Sequence, residues 1–104
     1  MTQRLKGSAR TYLRGLAHHL KPVVYLGKQG ITENFIKSVN QALDAHELIK
    51  LKFNSYKEQR KTLAKEIEEK TYSEMVGLVG NIAIYYREHH DKEQRKIYIP
   101  ETML

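Results

Sequence analysis

From Ser8 onward, Ala9, Tyr12, Leu13, Leu16 and Leu20 recur every three or four residues, the spacing of an apolar stripe along one side of a helix. Ser8 is placed to cap that helix, and Arg10 and Arg14 fall together on its outer face. Lys21 precedes Pro22, and a residue before proline is pushed out of the α region, so the helix is expected to end there. Val23, Val24, Tyr25 and Leu26 are β-branched, aromatic or aliphatic and suit a short, well-buried strand. Thr32 is the expected N-cap of a second helix, whose buried stripe is Phe35, Ile36, Val39, Ala42 and Leu43.

Over residues 47–53 the period changes to two, with Ile49, Leu51 and Phe53 on one face and Leu48, Lys50 and Lys52 on the other. That alternation predicts a strand with one wet, basic side. A third helix over 57–71 buries Leu63, Ala64 and Ile67, while Glu66, Glu68 and Glu69 stand among Lys61, Lys65 and Lys70 at a spacing that suits solvated ion pairs. Residues 75–79 and 82–87 read as antiparallel strands joined by Gly80 and Asn81, a two-residue hairpin signal. The stretch 88–96 is almost wholly charged or polar and predicts a mobile link, with Ile97, Tyr98 and Ile99 able to dock before Pro100. The order α-β-α-β-α-β-β predicts an α/β fold with a two-layer, four-stranded mixed sheet and helices mainly on one face.

Length narrows this to one domain over 1–104, with a core of about 8–87 and a mobile charged tail of about 88–104. The chain has no cysteine, which removes disulfide and thiolate-metal chemistry. No apolar run approaches the roughly 20 residues of a membrane helix, and residues 1–10 lack a signal-peptide core, so a cytoplasmic protein is expected. Charge adds more. The net charge is +6, and Arg4, Lys6, Arg10, Arg14, Lys21 and Lys28 all precede the first carboxylate, Glu33. A positive field concentrated in the first third of a chain speeds encounter with polyanions and gains from counterion release, although a basic surface kept for solubility would read the same.

Candidate chemistry centres on Gly27, Lys28, Gln29 and Gly30, between the first strand and the second helix. Two glycines three apart let the backbone approach a phosphate closely, and the helix that follows aims unpaired N–H groups and the positive end of its dipole at the same spot. An ordinary tight turn uses the same letters. Lys21 lies at the foot of the incoming strand and Lys37 one turn into the outgoing helix, and no Gly-Lys-Ser/Thr follows, which disfavours a nucleotide-hydrolysing loop. The KH type of RNA-binding domain clamps a nucleic-acid backbone with a loop of this pattern. A second candidate surface is the open side of the sheet at Lys50 and Lys52, beside whichever of the alternating sets, Tyr85 with Arg87 or Ile82 with Ile84 and Tyr86, faces that way.

His18 with His19 and His89 with His90 are adjacent pairs, lacking the one-face spacing of zinc ligands on a helix, and His46 suits the end of the second helix. Neither metal, cofactor nor catalytic residue is expected. Glu33 is the one carboxylate near the loop and has no partner for acid–base work, so a small enzyme acting on RNA or a phosphorylated ligand is the weaker alternative to a binding protein. A basic adaptor for an acidic protein surface is a further alternative. The pattern fixes no oligomeric state.

The run from Gly15 through Leu20, Lys21, Pro22, Val23, Val24, Tyr25, Leu26, Gly27, Lys28, Gln29 and Gly30 to Glu33 resembles the signature of the CRM domain, the chloroplast RNA splicing and ribosome maturation module. The stretch from Ala42 to Lys52 is similar to that family too, and the likeness is to its stand-alone bacterial, YhbY-type members over about residues 8–99. Ile31 stands where leucine is commoner, and the C-terminal third matches less well. The resemblance implies a fold like the C-terminal domain of translation initiation factor three. It also implies RNA binding through Gly27, Lys28, Gln29 and Gly30 with Lys21 and Lys37 nearby. Bacterial members associate with precursors of the large ribosomal subunit, and plant relatives assist group II intron splicing. The expected partner is therefore large-subunit ribosomal RNA or its precursor within a pre-ribosomal particle, with Arg10, Arg14, Lys50 and Lys52 extending the contact.

Overall fold

The structure, a computed structural model, describes residues 5–104; Arg4, part of the basic N-terminal third, lies outside the described residues. Helices α1 (Gly7–Ala17), α2 (Glu33–His46) and α3 (Arg60–Thr71) surround strands β1 (Val24–Leu26), β2 (Leu48–Phe53), β3 (Glu74–Val79) and β4 (Ile82–Tyr86). The strands form one four-stranded mixed sheet in the order β1-β2-β4-β3. Strand β2 pairs in parallel with β1 and antiparallel with β4, and β3 closes the hairpin with β4. The α/β fold, mixed sheet and three helices are those read from the periodicity.

Helices α2 and α3 share one face. There Val39, Leu43, Ala64 and Ile67 pack on Leu26, Ile49, Leu51, Phe53, Ala83 and Tyr85. Thr32 caps α2 as expected, its Oγ1 accepting the Phe35 amide at 3.0 Å. The expected solvated pairs on α3 are not made: all ion pairs among the described residues use arginine, and Glu68 instead accepts the Met75 amide at 2.7 Å.

The opposite face carries a partial third layer. Helix α1 buries Ala9, Leu13 and Ala17, and Leu13 and Ala17 pack with Leu48, Val76, Ile84 and Tyr86. The helix ends at Ala17, short of Lys21, which leaves Leu20 beyond it, and both Leu20 and Leu16 on its last turn are exposed instead of continuing the buried stripe. Ser8 does not cap it. The Glu74 carboxylate accepts the Leu5 amide at 2.9 Å just before the helix starts. A bulge between Met75 and Gly77 turns both Val76 and Gly77 toward α1, and the two arginines of α1 donate to carbonyls on either side of it.

The segment 88–104, expected as a mobile charged tail, makes specific contacts with the fold. Glu47, fully buried, accepts the amides of His89 at 2.7 Å, Lys96 at 2.6 Å and Ile97 at 2.8 Å. Arg95 donates to the His89 carbonyl and pairs with Glu88 at 3.2 Å, while Ile97 and Ile99 pack beside α1. Burial alone would raise the Glu47 carboxyl, yet these three amides and the Arg95 guanidinium hold it below the ordinary carboxylate value. One carboxylate that satisfies three amides thus adds to the apolar anchoring by Ile97 and Ile99.

Candidate nucleic-acid interface

Strands β1 and β2 are parallel, so their C-terminal ends meet at one edge of the sheet, the place where ligands gather in open α/β folds. The loop holding Gly27, Lys28, Gln29 and Gly30 leaves β1 there, and the turn at Asn54, Ser55 and Tyr56 leaves β2 beside it. The Leu26 carbonyl accepts the amides of both Asn54, at 3.0 Å, and Ser55, at 3.1 Å, which ties the two turns together. Tyr56, held in the left-handed region at φ 57°, donates its hydroxyl to the Lys28 carbonyl at 2.6 Å. Its ring also lies 3.7 Å from where a Cβ on Gly30 would sit, and Gly30 itself needs a positive φ of 73°. The half-exposed aromatic ring therefore braces the loop from the neighbouring turn.

The outward side of the loop is bare. Gly27, Lys28 and Gln29 are exposed, and a Cβ on Gly27 would meet nothing, so internal packing does not demand glycine at that position. Among the described residues the amides of Lys28, Gln29, Glu33 and Asn34 carry no hydrogen bond, while Gly30 N–H closes the turn onto the Gly27 carbonyl at 3.1 Å. Open amides, a lysine and the start of a 14-residue helix together favour an anion.

The other predicted residues divide. Lys21 is exposed ahead of β1, and Lys37 is exposed on the first turns of α2. Lys52 is exposed on the face opposite α2, next to Tyr25, and Lys50 is half-buried on the same face with its ammonium 3.3 Å from the His18 carbonyl. Tyr25 corrects the expectation of a well-buried first strand: β1 is an edge strand and its middle residue points to the uncovered side.

Arg10 and Arg14 do not present a free outer face and are not brought to the loop. Arg10 spans Glu74, at 2.9 Å, and the Met75 carbonyl, at 2.8 Å, and Arg14 donates to the Val76 carbonyl at 2.7 Å. Of the alternating sets on β4, Ile82, Ile84 and Tyr86 face the Lys50 side. Tyr85 lies under α3, its hydroxyl on the Ala64 carbonyl at 2.8 Å, and Arg87 is bound to Asn40, Thr71 and Asp44. Burial pushes the Tyr85 and Tyr86 hydroxyls well above the ordinary phenol value.

No group of histidines, aspartates and glutamates able to hold a metal occurs among the described residues, and none of their helices is long and apolar enough to cross a membrane. His18 and His19 are exposed, whereas His89 is buried and accepts the Asp91 amide on Nδ1 at 3.0 Å, a structural place that its pairing with His90 did not suggest. A concavity of about 1000 Å³ lies at the far end of the sheet against the C-terminal segment. Glu74 and Glu88 share its lining with Lys6, Arg87 and Arg95, so it lacks the unopposed positive charge of the loop.

Tyr56 carries no signal in the sequence because a positive φ leaves no periodicity. The available clue was position, immediately after a strand parallel to the one that feeds the glycine loop.

These features define a small α/β domain with an exposed glycine-flanked loop at a helix start. The chain belongs to the CRS1/YhbY (CRM) domain family, whose pattern matches residues 5–87. It is 35% identical to the probable RNA-binding protein YqeI of Bacillus subtilis over 92% of this chain and 99% of that one. An RNA-binding protein of Haemophilus influenzae is 37% identical over 92% of this chain and 95% of its own. The solution structure of the hypothetical protein SAV1595 from Staphylococcus aureus, a candidate RNA-binding protein, superposes with a TM-score of 0.74 at 36% identity. It covers 91% of this chain and 100% of that one.

Proposed function

We propose that this protein binds RNA without catalysis, with Gly27, Lys28, Gln29 and Gly30 gripping backbone phosphates and Lys21, Lys37 and Lys52 extending the contact. The observation that carries the reading is the exposed loop whose Lys28 and Gln29 amides make no hydrogen bond within the fold. The RNA-binding relatives at 35% and 37% identity support it. The target is ribosomal RNA of large-subunit precursors, bound in the cytoplasm during assembly. Family membership is the ground for that target.

Lys28→Glu tests the loop. Affinity in a filter-binding assay should fall about tenfold, because one phosphate contact becomes a repulsion, while the unfolding midpoint stays unchanged. For the wild type, engagement of about four single-strand phosphates gives a slope near −3 of log affinity against log salt. Unchanged affinity for the variant, or a flat salt response, favours the adaptor reading. Crosslinking in cells followed by sequencing of the attached RNA checks the target, and enrichment of large-subunit precursor is the expected result.

A further inference from the structure

Helix α1 covers only part of its face of the sheet. The uncovered part contains a row of side chains, one from each strand, that runs from Tyr25 to Lys52, Ile82 and Val79 by direct register. Tyr25 is 52% exposed and Val79 67% exposed. Lys50 stands in the next row, where the Val23 amide bonds its carbonyl, and the exposed His18 and His19 border it. Strands β1, β2 and β4 contain no carboxylate, and the one on β3, Glu74, is at the far end of the sheet opposite Tyr86.

We propose that this open row binds single-stranded RNA, with one nucleobase stacked on the Tyr25 ring and the flanking phosphates held by Lys52 and Lys50. The proposal rests on the RNA-binding reading and adds to it the state of the strand and the path it takes. Three observations and one property of duplexes carry it. The Tyr25 hydroxyl bonds the Pro22 carbonyl at 3.3 Å, so the ring is restrained while half of its surface is open. Lys52 is in direct register with Tyr25, and Lys50 stands one row away with its ammonium on the His18 carbonyl, with no opposing charge on the same strands, a combination that fits a base with its phosphates better than an apolar protein patch. Tyr25 precedes Gly27 by two residues of extended chain, about 7 Å, so a strand gripped at the loop lays its neighbouring base on the ring. In a duplex the base faces are already stacked, and only an unpaired base can offer one.

The protein has no tryptophan, so Tyr25→Trp places a single tryptophan at the site, whose emission is read by excitation beyond the tyrosine band. The probes are a short mixed-sequence single-stranded RNA and the blunt duplex of the same sequence. Tyr25→Trp should keep wild-type affinity for the single strand, with its emission quenched on saturation and little changed by the duplex. Tyr25→Ala should weaken single-strand binding by about 5- to 150-fold, the range expected for one stacked base. Tyr25→Phe should retain it. If the wild type binds and Tyr25→Ala binds equally well, or the duplex quenches as strongly, the proposal fails while the loop reading stands. If no RNA binds the wild type, both fail. Quenching that tracks protein concentration without RNA, with dimers in sedimentation, would assign the row to a second copy of this chain and overturn the proposal.

Discussion

The two ends of the sheet use the same residue types in opposite ways. Where β1 and β2 finish, Lys28 and Lys52 stand exposed without side-chain hydrogen bonds among the described residues, and loop amides are open to solvent. Where β2 begins and β4 finishes, polar groups are consumed internally: Arg10 by Glu74, Arg87 by Asn40, Thr71 and Asp44, Arg95 by His89 and Glu88, and Glu47 by three amides. The planar guanidinium fork matches carbonyls and carboxylates within the fold, while the strongly hydrated ammonium stays in water. A net charge of +6 therefore describes two populations, and the lysine population is the one available to a polyanion.

Removing the carboxylate at the consumed end gives the largest effect. Glu47→Ala leaves three buried amides without their acceptor and should cost about 3 kcal/mol, read by urea unfolding. Hydrogen exchange at His89, Lys96 and Ile97 should accelerate, with RNA affinity held within about twofold if the ends are independent. Loss of binding in a folded variant would show them to be coupled. The same carboxylate sets a pH response. Its folded pKa is depressed, so its contribution is complete above the unfolded value of about 4.3 and is lost as pH falls through the lower folded value. Urea unfolding followed from pH 6 to pH 3 should show this acid-side loss, and Glu47→Gln should flatten it.

Gly77→Ala comes next. Its Cβ would sit 2.9 Å from Arg14 Cδ and 3.3 Å from Cγ, so the arginine stem must lift from the bulge. A cost of about 1–2 kcal/mol is expected, measurable as a lower Tm. Tyr56→Phe is the smallest change. It deletes the 2.6 Å bond to the Lys28 carbonyl, and at about 0.5–1 kcal/mol it should loosen the loop and weaken RNA binding a few-fold with the Tm little moved. Unchanged affinity there would mean that ring packing on Gly30 alone supports the loop.

Much of this frame is legible locally. Thr32 before an apolar stripe marked the start of α2, alternation at Ile49, Leu51 and Phe53 marked β2, and Gly80, with its positive φ of 58°, marked the hairpin. What escaped depends on partners far away in the chain. Glu47 reads as one more polar residue until its amide donors, 42 to 50 residues downstream, are brought to it. The arginines of α1 read as an outer face because the carbonyls they satisfy belong to a bulge more than 60 residues on. At the candidate site the loop itself was readable from its glycines. Its backing by Tyr56 was not, since that contact needs a left-handed backbone and the parallel pairing of two strands.

Strand β2 is hydrogen-bonded along both edges, in parallel to β1 and antiparallel to β4, and its six residues join the two ends. It serves as the ruler against which the rest of the molecule is measured. Deleting one of its residues would invert it, sending Lys50 and Lys52 into the packing of α2 while Ile49 and Leu51 turned to water. The placement of the lysines beside the glycine turn, and of Glu47 beneath the C-terminal segment, is thus a single property of one strand's phase.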